Sequence, residues 1–255
     1  MKSDLVHFWD LTLVLTKKEI KVRYKNSVLG YLWSIANPLA FAFVFYVAFQ
    51  VVMRIEMENY ALFLIAGLFP WQWFSNSVSV SPGIFLGNSS IIKKINFPKS
   101  IVVLAIVLQD MAHYVMSLPV IALFLLIYGK YPYPAWAYGI PLLLMAQLLF
   151  TFGLSLLLAS INLFFRDMEK LVNVFMILLF YFTPVLYSEA MIPAQYQSWI
   201  ICNPLAPLMI NWRGLFLQGS LNFGYLLASL LYGVLTALIG HVVYKKLSWR
   251  FAEVL

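Results

Sequence analysis

A long stretch without any charged side chain extends from residue 139 to residue 165 and reads GIPLLLMAQLLFTFGLSLLLASINLFF. The hydrocarbon core of a bilayer is about 30 Å thick, and an α-helix crosses it with about 20 apolar residues. The stretch is therefore long enough and apolar enough to form a membrane-spanning helix. Its continuous apolar character does not fit the short segments of alternating polarity that build a membrane β-barrel.

The composition of the whole chain agrees with a membrane protein. The 255 residues are 63% hydrophobic and 11% charged, whereas an ordinary soluble domain is about 45–50% apolar and about 25% charged. So few polar side chains cannot cover the surface of a soluble domain, disorder requires low hydrophobicity, and a single cysteine, Cys202, forms no intrachain disulfide. The sequence excludes a soluble globular enzyme, a disordered chain and a disulfide scaffold, and it predicts an all-α polytopic membrane protein.

Six stretches of the chain have the length and apolarity of transmembrane helices. Charged patches and turns rich in proline and tyrosine separate them. The predicted spans are residues 35–53, 60–80, 101–128, 139–165, 171–187 and 223–244. Together with the segments between them they form a predicted permease domain, residues 31–255.

The N-terminal segment, residues 1–30, is not a span because basic residues interrupt it. Apolar residues recur near helical spacing between Leu5 and Val22, and Phe8 and Trp9 lie among them. This pattern predicts an amphipathic helix in the membrane interface, with a simple basic tail as the alternative. A secretory signal peptide does not fit, because the apolar run begins only after Gly30.

The distribution of basic residues predicts the orientation in the membrane. If both termini face the cytoplasm, residues 1–34, 81–100, 166–170 and 245–255 lie inside and carry 14 of the 17 Lys and Arg residues. The outside segments then carry three, Arg54, Lys130 and Arg213. Cytoplasmic loops of membrane proteins carry an excess of Lys and Arg, so we expect a multi-pass protein with both termini in the cytoplasm.

Residues 188–220 are too apolar for an exposed loop and too rich in proline for a span. Irregular backbone at membrane depth must be buried in protein or line a cavity. We therefore expect re-entrant half-helices that cap the outer end between the fifth and sixth spans. The alternative is a surface loop folded on its own apolar cluster.

One aromatic cluster lies well inside the second predicted span, just after Pro70, and a second one flanks Thr183-Pro184 near the end of the fifth. Such rings can stack on the apolar faces of sugars while the hydroxyl groups stay hydrated. The hypothesis of a substrate path competes here with ordinary packing or an interfacial aromatic belt. The candidate path residues are Trp71, Trp73, Phe74, Tyr181, Phe182 and Tyr187.

The third span contains three polar residues, Gln109, Asp110 and His113. Asp110 and His113 are three residues apart and share one face of a helix. Ionisable groups inside a membrane are costly and often functional, which suggests a proton relay. The alternative is a polar pair that holds helices together.

The loop of residues 88–100 is short and basic, and it could form one helical turn. It contains Lys93, Lys94, Phe97 and Lys99. Such a loop suits a docking site for a cytosolic partner, or an anchor to anionic lipid headgroups.

The chain shows no means of driving transport or catalysis by itself. No GxxxxGK[ST] phosphate loop, no HExxH motif and no Cys/His cluster occurs in the sequence. We therefore expect no metal site, no cofactor bound by this chain and no enzymatic activity. A membrane-embedded sugar transferase is disfavoured, because Asp167 and Glu169 are too few acids at one membrane face.

Several short motifs in their order resemble the type-2 ABC-transporter permeases, and among these the polysaccharide-export branch for O-antigen, capsule and teichoic acid. The resemblance covers nearly the whole chain and is greatest to the O-antigen (Wzm-type) permeases. It rests on the motifs Leu29-Gly30-Tyr31-Leu32-Trp33, Asn37-Pro38-Leu39, Phe164-Phe165-Arg166-Asp167, Thr183-Pro184-Val185-Leu186-Tyr187 and Asn203-Pro204-Leu205.

The resemblance implies a homodimer that binds two copies of a separate ATPase, which carries the ATP and Mg²⁺, in a bacterial inner membrane. A lipid-linked polysaccharide would pass outward between the two permeases. Membrane lipids are further partners, and no nucleic-acid partner is expected. The loop 88–100 and the N-terminal helix, with Lys18, Lys21 and Arg23, would meet the ATPase, while Arg166 and Asp167 would hold the helix ends. The alternatives are a permease for a drug or small lipid, and a proton-coupled transporter that uses Asp110 and His113.

Overall fold

The computed structural model describes residues 2–23, 30, 32–54, 57–95, 97–197, 200 and 202–251. Within these ranges the regular elements are helices, and no β-strand occurs. The α-helices are α1 (Lys2–Arg23), α2 (Leu32–Tyr46), α3 (Tyr60–Val80), α4 (Ile84–Gly87), α5 (Ser89–Lys94), α6 (Ser100–Ile127), α7 (Trp136–Asn162), α8 (Met168–Phe182), α9 (Ala194–Gln197), α10 (Ala206–Arg213) and α11 (Phe223–Leu247).

Two helices continue as π-helical turns, and short 3₁₀ turns lie between others. The π-helical segments are Val47–Val52 after α2 and Gly214–Gln218 after α10. The 3₁₀ turns are Ser81–Gly83, Glu189–Met191 and Ser248–Arg250. Of the motif residues that carry the resemblance, Leu29 and Tyr31 lie outside the described residues.

The long apolar helices make the chain a multi-pass membrane protein. In the described part, four stretches are long and apolar enough to cross a membrane: Ile35–Val52, Ser100–Ile127, Trp136–Asn162 and Phe223–Arg250. They overlap the first, third, fourth and sixth predicted spans. The second predicted span coincides with α3, and the fifth overlaps α8, which has only 15 residues. The exact count of six spans therefore stays a prediction.

The end of α8 differs from the expected end of the fifth span at residue 187. The helix stops at Phe182, and Thr183 takes an extended conformation with φ −90° and ψ 138°. Thr183 precedes Pro184, and a proline disfavours the helical conformation of the residue before it. The last five residues of the predicted span are thus an irregular segment, which we call the TPVLY segment (residues 183–187).

Helices α7 and α11 pack against each other at very short range through glycines. A Cβ atom on Gly153 would lie 2.3 Å from the backbone nitrogen of Ala237, and one on Gly240 would lie 2.3 Å from the carbonyl oxygen of Gly153. Small residues at such positions let two membrane helices approach closely and gain van der Waals contact. The charge-free stretch that indicates a span is thus also the centre of the closest helix pair.

The buried side chains form two apolar clusters at different heights of the bundle. The larger cluster surrounds α3, α10 and the middle of α7, and includes Trp212 and Phe216. The smaller one joins α1, α5, the start of α6 and the end of α7 around Phe85 and Phe251. We call the end of the bundle with this smaller cluster the proximal end, and the end with Tyr60 and the TPVLY segment the distal end. The 21 residues of α3 separate them by about 30 Å.

Helix α1 lies against α6 through buried Leu15, with Phe8 and Leu11 partly covered beside it. Trp9, Leu13 and Val14 are exposed on the other side. The N-terminal segment is therefore helical as expected over Lys2–Arg23. Its place in the membrane interface stays a prediction.

The described residues between 188 and 220 form short helices separated by turns. Within this segment α10 is almost completely buried against α3, α7 and α11. Burial in protein is what irregular backbone next to α10 would need if it lay at membrane depth. Re-entry of α10 into the membrane stays a prediction, and Trp199 and Ile201, which belong to the same expectation, lie outside the described residues.

Candidate functional site

A groove between α2, α3 and α8 encloses about 450 Å³ and combines polar side chains with aromatic rings. Its polar wall consists of Gln72, Ser75, Ser79 and Asn173. Its aromatic wall consists of Phe41, Phe45, Trp71, Phe180 and Tyr181. We call it the aromatic groove.

Helical spacing places these side chains on common faces. On α3, Trp71, Ser75 and Ser79 follow one another at intervals of four residues and therefore share a face. On α8, Asn173 and Phe180 are seven residues apart, which brings them to one side of the helix. Two mainly apolar helices thus contribute polar groups to the same groove.

The rings in the groove contact one another across helices. The centroids of Trp71 and Phe180 are 5.3 Å apart, and those of Phe45 and Phe180 are 5.8 Å apart. Tyr181 and Phe182, 59% and 74% exposed, lie on the open side of α8. Of the predicted path residues, the structure therefore brings Trp71 and Tyr181 to the groove. Phe182 lines a different cavity, together with Phe175 and Leu179 on another face of α8.

Trp73 and Phe74, also predicted on the path, point into the packed interior. The indole of Trp73 donates a hydrogen bond to the carbonyl oxygen of Val107 at 3.2 Å and stacks on Tyr114. Phe74 is fully buried and stacks on Phe150. Both rings serve packing in this conformation, and their contact with substrate stays a prediction.

In the TPVLY segment at the distal end, the nitrogen of Thr183 closes the last turn of α8 on the carbonyl of Leu179, and the carbonyl groups of the segment find partners outside a helix. Thr183 accepts from the backbone nitrogen of Val185, and Leu186 accepts from the hydroxyl of Tyr60 at 3.0 Å. The side-chain amide of Asn203 donates to the hydroxyl of Thr183 at 2.9 Å. Tyr187, the last predicted path residue, is half-buried and donates from its hydroxyl to the carbonyl of Tyr181 at 3.2 Å.

Arg213 at the end of α10 supplies the other donors. Its guanidinium donates to the carbonyl oxygens of Pro184 and Val185, and to that of Tyr187 at 3.2 Å. The cation also stacks on the ring of Phe63, 3.7 Å from its centroid. A Cβ atom on Gly67 would lie 2.5 Å from the guanidinium, so this glycine makes the room that the cation occupies. Arg213 thus joins α10, α3 and the TPVLY segment.

A second polar link crosses the middle of the bundle. Gln147 on α7 is fully buried and donates to the carbonyl of Pro70 at 2.8 Å. Its side-chain oxygen accepts from the indole of Trp212 at 2.7 Å. One amide therefore ties α7, α3 and α10 together, and buried polar groups that are satisfied in this way specify one arrangement of helices.

The polar residues of the third predicted span lie in the interior of the bundle. Asp110 accepts a hydrogen bond from the hydroxyl of Ser77 at 2.8 Å, and His113 lies 3.9 Å from its other carboxylate oxygen. Gln109 is buried beside them. Asp110 and His113 line a cavity of about 180 Å³ between α2, α3 and α6, and the link from Ser77 to Asp110 fits a pair that holds helices together.

The N-terminal helix contacts the loop 88–100 at the proximal end through Lys18. The ammonium of Lys18 lies 2.8 Å from a carboxylate oxygen of Glu19 and 3.1 Å from the side-chain oxygen of Asn88. Lys21 is exposed on α1. Arg23 ends α1, and its side chain is outside the described part.

The loop forms the helical turn that the sequence suggests, α5, with Lys93 and Lys94 exposed in its last turn. Phe97 points inward and is buried in the smaller apolar cluster. Lys99 lies 5.3 Å above the ring of Phe251. A partner that docks on this loop would therefore meet the lysines of α5, while Phe97 fixes the loop to the bundle.

Arg166 and Asp167 lie in the turn between α7 and α8. Asp167 occupies the N-cap position of α8 and its backbone carbonyl accepts from the nitrogen of Leu171, without a cap from its side chain. Arg166 is exposed. Both residues therefore lie at helix ends. Their role in holding these ends stays a prediction.

Sequence reasoning did not single out Gln147, Tyr60 or Arg213 as site residues. Gln147 carries a detectable signal, because a large polar side chain in a charge-free stretch is costly in a membrane and finds a partner inside the bundle. The charge distribution assigns Arg213 to an outside segment. Its position between two predicted spans does not reveal that its side chain is buried. Among the described residues, no group of three side chains that could hold a metal ion occurs.

The described part of the chain is thus a bundle of long apolar helices with a groove of polar and aromatic side chains between α2, α3 and α8. The chain belongs to the ABC-2 type transporter family, whose model matches residues 10–217. The described structure and this family together place it among permease subunits rather than enzymes.

Individual relatives narrow the class. Two O-antigen export system permease proteins of Klebsiella pneumoniae are 48% and 47% identical over the whole chain and 98% of their own length. An O-antigen export system permease protein of Myxococcus xanthus is 32% identical over 84% of the chain and 83% of its own length. A polysialic acid transport protein of Escherichia coli is 24% identical over 89% of the chain and 90% of its own length. The resemblance drawn from the motifs is thereby confirmed.

Proposed function

We propose that this chain is the membrane permease of an ATP-driven exporter that moves a lipid-linked, O-antigen-like polysaccharide outward across an inner membrane. The observation that carries the proposal is 48% identity, from end to end, to an O-antigen export permease. The more distant likeness to a polysialic acid transport protein keeps the proposal within polysaccharide export.

The aromatic groove supplies the physical means of guiding a glycan. Rings such as Trp71 and Tyr181 offer flat apolar faces to pyranose rings, and Gln72 or Asn173 offers hydrogen bonds to hydroxyl groups. A polymer that slides must be held at many weak contacts, none of which is tight. Stacking combined with exchangeable hydrogen bonds meets this requirement.

The same groove supports a homodimer. Its polar side chains Gln72, Ser75 and Asn173 would be costly if they faced lipid. A second copy placed across the open side of α8, which exposes Val174, Ile177 and Phe182, would close the groove into a channel. The two permeases would then share one glycan path.

Energy comes from a separate ATPase, which holds the ATP and Mg²⁺. Lys93 and Lys94 on α5, with Lys18 and Lys21 on α1, form the basic surface that would meet it. Both termini then face the cytoplasm, in agreement with the excess of basic residues at the proximal end. The ATPase drives export by favouring a different permease conformation in each nucleotide state.

Genetic replacement tests the proposal directly. The chain is expressed in cells that lack the related O-antigen export permease but retain its ATPase, and surface O-antigen is measured by immunoblot of intact cells. We expect the glycan to return to the surface and the permease to co-purify with the ATPase. Intracellular accumulation of the glycan, with the permease folded in the membrane and bound to the ATPase, would contradict a role in glycan export.

A further inference from the structure

The aromatic groove is connected to the distal end by a continuous row of rings. Phe45 contacts Phe49 at 6.2 Å, Phe49 contacts Tyr60 at 6.3 Å, and Tyr60 stacks on Phe63 at 6.0 Å, all between centroids. Phe63 in turn carries the guanidinium of Arg213 on its face. The row begins in the groove and ends on a cation.

That cation forms part of the wall of a second cavity, which encloses about 350 Å³ at the distal end. Six further polar side chains line it, from four separate parts of the chain: Glu58, Asn59, Lys130, Ser188, Glu189 and Gln218. We call this cavity the distal pocket. Its volume falls within the range of small-molecule sites, which is roughly 300–1,000 Å³.

The distal pocket combines apolar side chains, such as Leu62, Phe63 and Ile210, with polar side chains of both charges, a combination that suits a sugar ring with its apolar faces and its hydroxyl groups. Two carboxylates, Glu58 and Glu189, line the pocket together with two cations, Lys130 and Arg213, so the formal charges balance. Carboxylates and amide oxygens accept hydrogen bonds from hydroxyl groups, while ammonium and amide nitrogens donate to them. An uncharged ligand with many hydroxyl groups uses both kinds of partner.

We propose that the distal pocket binds one uncharged pyranose unit of the glycan after it leaves the aromatic groove. This inference rests on the proposed function and extends it, because it assigns the chain a second glycan contact outside the groove. Glu189 is a principal acceptor, positioned by the hydroxyl of Tyr225, which lies 3.3 Å from its carboxylate. Arg213 lines the pocket and donates to carbonyls of the TPVLY segment. A ligand in the pocket therefore influences the conformation at the end of α8.

Site-specific photocrosslinking in living cells tests the inference with the native glycan as the probe. A benzophenone amino acid replaces Gln218, which is exposed and lines the pocket, in cells whose ATPase partner is hydrolysis-deficient, so that the glycan stalls in transit. The same amino acid at Tyr181 reports on the groove. At Gln197, an exposed glutamine on α9 that does not line the pocket, it serves as the matched control.

We expect glycan adducts at Gln218 and Tyr181, each at least about tenfold above Gln197, because a bound chain presents a millimolar effective concentration to its site. Glu189→Gln should reduce the adduct at Gln218 roughly threefold to tenfold, by weakening a charge-assisted hydrogen bond, and leave that at Tyr181 unchanged. Adducts at Tyr181, with Gln218 no higher than Gln197, would overturn the distal pocket and keep the proposed function. If none of the three positions forms adducts, and the cells still export glycan although the ATPase of this permease is hydrolysis-deficient, another permease carries the glycan. The proposed function itself then fails.

Discussion

The distal and proximal ends of the bundle are held together by different forces. At the distal end, Arg213 and Tyr60 donate to backbone carbonyls of a segment that has left its helix. At the proximal end, Phe85 and Phe251 pack at 5.0 Å between centroids within an apolar cluster. The difference follows from the backbone, because a helical chain satisfies its own carbonyls and an irregular one needs donors from elsewhere.

This contrast has a functional consequence. A cluster of apolar rings can shift by small amounts without losing a specific bond, since dispersion contacts are individually weak. A buried cation that donates hydrogen bonds to several carbonyls can make all of these bonds in only one arrangement. We therefore expect the distal end to switch between discrete states and the proximal end to transmit motion from a partner.

The largest effect is expected from Arg213→Met, which removes the hydrogen bonds to the carbonyls of Pro184, Val185 and Tyr187. Buried carbonyls that lose their partners, together with a broken network, should lower the free energy of unfolding by about 3–5 kcal/mol. Thermal unfolding of the purified protein in detergent measures this change.

Arg250→Met at the proximal end is the control, because Arg250 is exposed and contacts only the ring of Trp249 in the contacts described. Its effect should stay within about 0.5 kcal/mol. Equal losses for the two arginine variants would remove the distinction between the two ends.

A smaller loss is expected from Gly153→Ala, which tests close packing between α7 and α11. The new methyl group would lie 2.3 Å from the backbone of Ala237, and overpacking of this kind costs about 1–3 kcal/mol. Gly87→Ala is the matched control, since a Cβ there meets no atom within 4 Å. A Gly153→Ala protein that unfolds at the wild-type temperature would show that the helix pair has room to separate.

A still smaller change is expected from Asp110→Asn. The amide can still accept from Ser77, so stability should fall by about 1 kcal/mol or less. If ATP drives transport, surface glycan measured by immunoblot should stay near the wild-type level. Loss of export in a folded, ATPase-bound Asp110→Asn permease would instead favour the proton-coupled alternative.

The least effect on stability is expected from Lys93→Gln combined with Lys94→Gln, because both side chains are exposed. Each exposed charge pair contributes about 0.2–1 kcal/mol, so affinity for the ATPase should fall roughly threefold to tenfold with no change in unfolding temperature. Co-purification and stimulated ATP hydrolysis measure this.

The control is Lys245→Gln with Lys246→Gln, which removes two exposed lysines near the same end. Equal weakening by both double variants would reduce the role of α5 to that of general positive charge. Phe97 is left unchanged, since its burial in the proximal cluster would confuse docking with stability.

Much of the helical framework could be predicted from periodicity and charge. The boundaries of α3 coincide with the predicted second span, and those of α6 differ from the third by one residue. The candidate site was less accessible. Trp71, Trp73 and Phe74 are close in sequence, yet a helix turns successive side chains by about 100°, so only packing reveals that Trp71 meets the groove while the others face inward.

The amino-acid sequence alone determined that the chain is a helical membrane protein, that it lacks a recognisable nucleotide-binding loop and that its motifs resemble polysaccharide-export permeases. These properties depend on local composition and spacing, which act over one or two helical turns. Only the tertiary structure decided that Arg213 serves the TPVLY segment and that Gln147 joins α7, α3 and α10. Those contacts link residues far apart in the chain, so they exist only once the helices have packed.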